Sequence, residues 1–202
     1  MTIHSTLVAA AMGCTLLTAS TLSAQDTTTL AKPQPTSRWE LRVPSGTLIP
    51  TGAQRDFIKR GNLTATQLTY VAPSGLAITS TVGWARSRDA ATTDNPKLDV
   101  FTYDVGAELR APHSITGEAV TFIPFTGVGA GGRSYNYRKL DVDATHNAAA
   151  YGSVGGELGF ARVRVRLEAR DYVTGFKPLS GAGLARTGND VVVMVGVRLV
   201  SR

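Results

Sequence analysis

Cysteine is almost absent from this chain, whose 202 residues include a single one, Cys14. Cys14 lies in an apolar N-terminal segment, so a chain that loses this segment has no cysteine with which to form a disulfide. Histidine is also scarce, and beyond the N-terminus only His113 and His146 are present. Because these two residues are far apart in the sequence, they do not form a metal-ligand pattern. We therefore expect no metal and no cofactor.

Long apolar runs are missing beyond the N-terminus. No stretch of about 18 apolar residues occurs there, which excludes a membrane-spanning helix in the body of the protein. Helical periodicity is missing as well. Gly, Pro, Asn and Asp instead separate segments in which apolar residues recur at every second position, a pattern typical of β-strands. The sequence therefore predicts an all-β domain.

Charged side chains are absent before Asp26. Residues 7–17 are apolar or small, and Ala24 ends a segment that resembles a signal-peptidase cleavage site. The segment has no Lys or Arg near its start, and a short helix of the mature domain is the alternative. A lipoprotein modified at Cys14 is disfavoured, because Ala11 stands where a lipobox normally has leucine. We expect an export signal peptide over 1–24, a flexible Thr-, Pro- and Gln-rich leader over 25–36, and one domain over 37–202.

Clusters of basic residues are missing too. The formal charge is +6, and the Lys and Arg residues that carry it are scattered along the chain. An exported chain of this kind rarely meets nucleic acid, so we expect no nucleic-acid partner. Anionic lipid headgroups fit the mild basicity better.

Residues 162–173 show the strand pattern most clearly. Their sequence is R-V-R-V-R-L-E-A-R-D-Y-V, and within it residues 163–170 have one purely apolar face, while the other face carries three arginines and a glutamate. We predict eight such strands, seven of them about nine to twelve residues long, as a tilted strand needs to cross a bilayer. Pro44 in the first of them predicts a bulge or a strand end. The strands are 38–47, 63–71, 76–86, 100–110, 119–133, 149–160, 162–173 and 191–200.

The connections between these strands alternate strictly between long and short. Short turns on one side and longer loops on the other are typical of transmembrane barrels, whose outer loops are the longer ones. The prediction is an eight-stranded antiparallel up-and-down transmembrane barrel in the outer membrane. A soluble periplasmic β-barrel or sandwich that binds an apolar ligand is the alternative.

Aromatic residues lie at or toward several of the predicted strand ends. This placement fits the aromatic girdles of membrane barrels, although core aromatics of a soluble domain are the alternative. The residues are Trp39, Tyr70, Trp84, Phe101, Tyr103, Phe122, Phe160 and Tyr172.

Two strands resemble those of the small OmpA/OmpX-like outer-membrane β-barrels. They are the glycine-alternating F-T-G-V-G-A-G-G at 125–132 and R-L-E-A-R-D-Y at 166–172. The resemblance covers 37–202 and implies a closed eight-stranded barrel, most often a monomer, that is inserted by the barrel assembly machinery. Members of this group usually end on an aromatic residue, whereas this sequence ends on Arg202.

Ten charged residues fall on the inward face of the predicted barrel. An eight-stranded barrel has just enough interior for side chains to fill, so we expect these residues to form a network of ion pairs that closes the lumen. A narrow pore is the alternative, but the mixed signs of the charges do not favour it. The residues are Glu40, Arg42, Asp104, Glu108, Arg110, Glu157, Arg164, Arg166, Glu168 and Arg170.

Catalysis is not expected. A lipid-modifying barrel enzyme needs a nucleophile and a base, built from serine or histidine, near the membrane edge. His146 is the candidate base, but Ser153 is seven residues away and points inward, and no serine neighbours His146 on its own strand face.

The long loops carry most of the remaining basic residues. These residues are candidates for contact with lipopolysaccharide phosphates, and ordinary solvated loop charges are the alternative. They are Arg55, Lys59, Arg60, Lys97, Arg138, Lys139, Lys177 and Arg186. We therefore expect a structural or surface-interaction protein whose partners are outer-membrane lipid, with lipopolysaccharide a candidate among them.

Overall fold

The computed structural model describes residues 36–111, 115–116, 120–138, 140–141, 143–160, 162–176 and 186–199. The predicted signal peptide and all but the last residue of the predicted leader lie outside these ranges, as do His113, Lys139 and Lys177.

Ten strands and one short 3-10 helix make up the described chain. The helix, Gly52–Asp56, lies in the first long connection. Pro44 divides the first predicted strand in two, as expected, since proline cannot donate a ladder hydrogen bond. The strands are β1 (Arg38–Arg42), β2 (Ser45–Thr51), β3 (Gly61–Val71), β4 (Leu76–Arg88), β5 (Lys97–Arg110), β6 (Ile115–Thr116), β7 (Thr121–Tyr137), β8 (Thr145–Phe160), β9 (Val163–Phe176) and β10 (Arg186–Leu199).

The strands form one closed antiparallel barrel. β1 and β2 together make the first wall, in which β1 pairs with β3 and β2 pairs with both β3 and β10. The other walls are β3, β4, β5, β7, β8, β9 and β10, each paired with the next along the chain. Two-residue β6 pairs with β7 within the connection from β5. The predicted all-β, eight-stranded, up-and-down architecture is confirmed.

The strands extend further at the long-loop end than the sequence predicts. Arg88 pairs with Lys97, and Tyr135 pairs with Thr145, although each of these four residues was expected in a loop. Their ladders continue because backbone pairing does not require apolar side chains, and the outward-facing positions at this end are polar. The predicted ends at 86 and 133, and the predicted starts at 100 and 149, are therefore wrong by two to four residues.

The outer face of the barrel is mainly apolar. Large apolar side chains are exposed on every wall, at up to 67% for Trp39 and Val128. The lumen, in contrast to the outer face, is divided into two layers. Charged side chains fill the half nearer the short turns. The half nearer the long loops contains mainly apolar and tyrosine side chains, with the buried Arg133 and Asp190 among them. Among the described residues, no helix is long and apolar enough to cross a membrane.

Candidate functional site

The charged layer of the lumen is a continuous set of ion pairs. Glu40 of β1 is completely covered and accepts hydrogen bonds from Arg38, at 2.8 Å, and from Arg110, at 3.0 Å. Arg42, buried beside Glu40, also donates to Glu157 at 2.8 Å. Arg198 of β10 lies 2.9 Å from Glu157 and 3.1 Å from Glu40. The walls that begin and end the barrel thus share one charge cluster.

A second part of the same layer is organised around Glu168 of β9. Arg170 donates to Glu168 at 2.6 Å, and Arg166 donates to it at 3.0 Å. The same two arginines reach across to β5, where Arg166 pairs with Glu108 and Arg170 lies 2.9 Å from Asp104. Because Arg offers several donors in a fixed plane, each guanidinium serves more than one carboxylate.

Aromatic rings cover several of these guanidinium groups. Arg166 lies 3.5 Å above the centroid of Phe125, and Arg170 lies 4.5 Å above that of Tyr151. Tyr172 donates a hydrogen bond to Asp104 at 2.7 Å. Cation–π contact strengthens when water is excluded, so the rings help to hold the cations in place.

Glycines of β5 and β7 make the space for one of these rings. A Cβ atom at Gly106 or Gly129 would collide with the Tyr151 side chain. The glycine alternation seen in the sequence therefore creates room in the lumen for a large residue of the neighbouring strand.

Nine of the ten charged residues expected in the lumen are brought together in this layer. The tenth, Arg164, lies against Gly159 near the short turns and makes no ion pair among the described residues. The network also includes Arg38 and Arg198, which sequence reasoning did not select. The alternation of Arg198 with Val197 and Leu199 contained the signal for its inward position.

One buried pair was missed entirely. Arg133 of β7 and Asp190 of β10 form an ion pair with both side chains fully covered. Arg133 also lies 4.0 Å above the ring of Tyr172. Asp190 was expected in a loop, because β10 was predicted to begin one residue later. Tyr172 was expected in an outer girdle, and this is corrected: it is 2% exposed and faces the lumen.

The apolar layer closes the other half of the lumen. Its members include Leu48, Leu63, Val100, Tyr135 and Met194, all less than 5% exposed. A cavity of about 10 Å³ lies beside Met194 and Arg133, which is room for about one water molecule. In the described part of the chain no group of three or more His, Cys, Asp or Glu side chains could hold a metal ion.

Aromatic side chains form two groups on the outer face. Near the short turns, Trp39 and Tyr70 are cross-strand neighbours with ring centroids 5.1 Å apart. Near the long loops, Trp84 and Phe101 are stacked at 6.4 Å. One pair thus lies toward each end of the barrel, an arrangement that resembles the interfacial girdles of membrane barrels.

A basic cleft of about 330 Å³ lies directly beyond Trp84 and Phe101, toward the long loops. Of its charged side chains only Asp99 is acidic, and Asp99 is bound by Arg138 through Nε at 2.5 Å and Nη2 at 2.9 Å. This hydrogen bonding raises the pKa of the Arg138 guanidinium. Arg86 lies 4.0 Å above the Trp84 ring. The cleft is lined by Lys59, Arg60, Arg86, Ser87, Arg88, Lys97, Asp99 and Arg138.

Ser134 and His146 are hydrogen-bonded on the outer face. They are directly opposite one another on β7 and β8, with Ser134 Oγ 2.6 Å from His146 Nδ1. The Tyr103 hydroxyl lies 3.3 Å from the same serine oxygen. The sequence offered no serine on the strand face of His146, and the structure instead supplies one from the adjacent strand.

These features define a closed eight-stranded barrel with an apolar outer face and an ion-paired lumen. No family model matches the chain, and no curated protein matches its sequence. Its structure is similar to that of Neisserial surface protein A (NspA), an eight-stranded outer-membrane β-barrel, with a TM-score of 0.53 and 10% identity. The similarity covers 82% of this chain and 99% of NspA.

A second solved structure is less similar. Ail, the attachment invasion locus protein of Yersinia pestis, in complex with the heparin analogue sucrose octasulfate, has a TM-score of 0.38 at 9% identity, over 78% of this chain and 97% of Ail. At these identities the similarity to NspA concerns the fold. At that level, the resemblance to small outer-membrane barrels that the sequence indicated is confirmed.

Proposed function

We propose that this protein is a small, closed outer-membrane β-barrel with a structural or surface-interaction role. The observation that carries the proposal is the inversion of its two faces, with apolar side chains outside and ion pairs inside. Twenty large apolar side chains are exposed on the described surface. Water would disfavour such a surface, whereas the hydrocarbon of a bilayer accommodates it.

The soluble alternative requires the opposite arrangement. A barrel that binds an apolar ligand in water needs an apolar cavity and a polar outer face. Here Arg133, Arg170 and Glu168 occupy the lumen, and the cavity beside Arg133 holds about 10 Å³. Among the described residues, these side chains fill the lumen and leave little room for an apolar ligand.

A filled lumen also supports a closed barrel over a narrow pore. The buried carboxylates and guanidinium groups neutralise one another, and the apolar layer lies between them and the long loops. An ion entering from the long-loop end would have to displace packed tyrosine and leucine side chains. We propose that the charge network is a means of filling the lumen and not a route through it.

The cellular context belongs to the same proposal. Export by the signal peptide 1–24 would deliver the chain to the barrel assembly machinery, which would insert it as a monomer. Its partners are then the lipids of the outer membrane, lipopolysaccharide among them. Support comes from the apolar outer face, the two aromatic groups and the basic cleft beside one of them.

Fractionation and gel migration test the proposal. The full chain is expressed in a Gram-negative host, and the outer-membrane and soluble periplasmic fractions are compared. We expect recovery with the outer membrane and, in a detergent gel, a migration that changes when the sample is boiled. Recovery in the soluble periplasmic fraction would contradict the proposal.

A second candidate function, an esterase acting on membrane lipid, is favoured by the Ser134–His146 hydrogen bond. A hydroxyl beside an imidazole is the arrangement that activates a serine nucleophile. Two observations weigh against it. Ser134 is only 7% exposed, and among the described residues no carboxylate orients the His146 ring. The non-enzymatic role therefore remains the leading proposal.

A further inference from the structure

We infer that the basic cleft on the outer wall binds the phosphate group of a lipid in the surrounding leaflet. This inference rests on the proposed membrane setting and assigns that setting a specific site. The cleft is formed by β4, β5, the end of β7 and the residues before β3. It contains six cationic side chains, Lys59, Arg60, Arg86, Arg88, Lys97 and Arg138, and one carboxylate, Asp99.

The cations of the cleft are placed against one another. Arg88 and Lys97 are directly opposite on β4 and β5, and the backbone N–H of Arg138 donates to the Lys97 carbonyl at 2.9 Å. The three therefore form a row across adjacent strands. Lys59 joins the row, since its N–H donates to the Arg88 carbonyl at 3.0 Å. Like charges directly opposite on neighbouring strands destabilise a sheet, and a bound anion would remove that cost.

The arginines of the lumen differ from those of the cleft in their carboxylate partners. In the lumen, Arg42, Arg166 and Arg170 each contact at least two carboxylates. In the cleft, Arg138 is the one cation that makes an ion pair within the described chain. Five cations in the cleft thus have no carboxylate partner among the described residues. Arg and Lys groups converging without acidic partners are the recognition chemistry of phosphate.

The position of the cleft points to a lipid rather than to a soluble phosphate. Trp84 and Phe101, the aromatic pair nearer the long loops, lie immediately on the bilayer side of the cations. Beyond them along the same strands the outer wall is apolar, with Val82 63% exposed and Val105 56% exposed. A molecule with a phosphate at one end and acyl chains at the other fits both surfaces at once.

Trp84 provides a direct signal for occupation of the cleft. Arg86 lies over its ring at 4.0 Å and Arg138 at 5.7 Å, so a phosphate that draws these cations away changes the surroundings of the indole. Trp39 is the other tryptophan of the chain. A Trp39→Phe variant therefore isolates the emission of Trp84.

The experiment uses the full chain, carrying Trp39→Phe, in phosphatidylcholine vesicles that contain an increasing fraction of dioleoyl phosphatidate. We expect a saturable change in Trp84 emission. Removing two cations with Arg88→Gln and Lys97→Gln should raise the half-saturating fraction about 25-fold, because each basic residue near an anionic surface contributes roughly fivefold. Arg55→Gln with Arg162→Gln removes the same charge from exposed positions outside the cleft, and should leave the half-saturating fraction unchanged.

The remaining arms separate the outcomes. Glycerol 3-phosphate added to vesicles of phosphatidylcholine alone should not saturate the signal at matched concentration; if it does, the site takes a free phosphate and the lipid assignment fails. Equal responses of the cleft variant and its charge-matched control would overturn the site itself. Flotation of the same vesicles reports insertion, so a chain that floats without responding contradicts this inference alone, whereas a chain that does not float contradicts the proposed function.

Discussion

Arg42 of β1 and Glu157 of β8 are hydrogen-bonded across the lumen at 2.8 Å, although 115 residues separate them in the sequence. Neither strand pairs with the other in the sheet. Contacts of this kind, repeated by Arg110 with Glu40 and by Arg166 with Glu108, connect opposite walls of the barrel. The interior is therefore held by side-chain pairs in addition to the backbone ladder.

Glu168→Gln is expected to destabilise the barrel substantially. The change removes the carboxylate shared by Arg166 and Arg170 and leaves two buried guanidinium groups with incomplete compensation. Breaking one side of a buried ion pair costs about 3–5 kcal/mol. The free energy of unfolding in urea, measured in lipid vesicles, gives the result. Arg38→Gln is the control: its partner Glu40 is buried, but Arg38 itself is 46% exposed, so the loss should be about 1 kcal/mol or less. Equal effects of the two substitutions would contradict this account of the lumen.

Gly129→Ala is expected to destabilise the barrel by about 1–3 kcal/mol, because the new methyl group overlaps the Tyr151 ring. Gly152→Ala serves as the control, since nothing lies within 4 Å of the position its Cβ would take, and its effect should stay within about 0.5 kcal/mol. In a Tyr151→Ala background the cost of Gly129→Ala should largely disappear. A cost that persists there would mean that the collision with Tyr151 is not its cause.

Val128→Arg tests whether the outer face meets lipid. Val128 is 67% exposed near the middle of β7, and arginine at the bilayer midplane costs about 2–4 kcal/mol. Unfolding in vesicles should show this loss. Asn136→Arg, on the same strand beside the basic cleft, should cost about 1 kcal/mol or less because interfacial positions tolerate arginine. If Val128→Arg proves neutral, this face is in contact with water.

Ser134→Ala and His146→Ala are expected to leave membrane lipids unchanged. Both residues lie on the outer face, where a lipid-cleaving pair would have to act, and their hydrogen bond is 2.6 Å long. Mass spectrometry of lipids from cells that express the original chain or either variant makes the comparison. A deacylated lipid species that depends on both side chains would establish the esterase function instead.

Planar-bilayer recording should show no stepwise conductance from the purified barrel. Arg133 and Asp190 are fully covered, and the cavity beside Arg133 has a volume of about 10 Å³. The covered ion pair and the small cavity leave no continuous aqueous path through that part of the described lumen. Steady, voltage-independent steps from preparations whose folding is confirmed by gel migration would show that the lumen conducts.

The number of barrel walls and the face of most residues could be predicted from the sequence. Alternation in β5 and β9 is nearly uninterrupted, so Asp104, Glu108, Arg166 and Glu168 could be assigned to one face before any pairing was known. The break at Pro44 was equally predictable, since it follows from the chemistry of proline. These features depend on short segments of chain.

Features that depend on strand register could not be predicted. Ser134 and His146 are 12 residues apart and meet only because β7 and β8 pair in one particular alignment. The row of Arg88, Lys97 and Arg138 arises in the same way. Tyr172 is a different case: its alternation with Val173 and Asp171 indicated the lumen, but its place near a predicted strand end suggested a girdle.

Arg198 lies at the seam of the barrel, where β10 pairs with the first wall. Its guanidinium comes from the last strand and lies within 3.1 Å of Glu40 on the first, and within 2.9 Å of Glu157. A sheet that has not yet closed therefore leaves two acidic groups short of a positive charge. A slip of one residue at the seam would turn Arg198 toward lipid. The open and misaligned forms thus carry an electrostatic penalty, and correct closure is selected by charge as well as by hydrogen bonding.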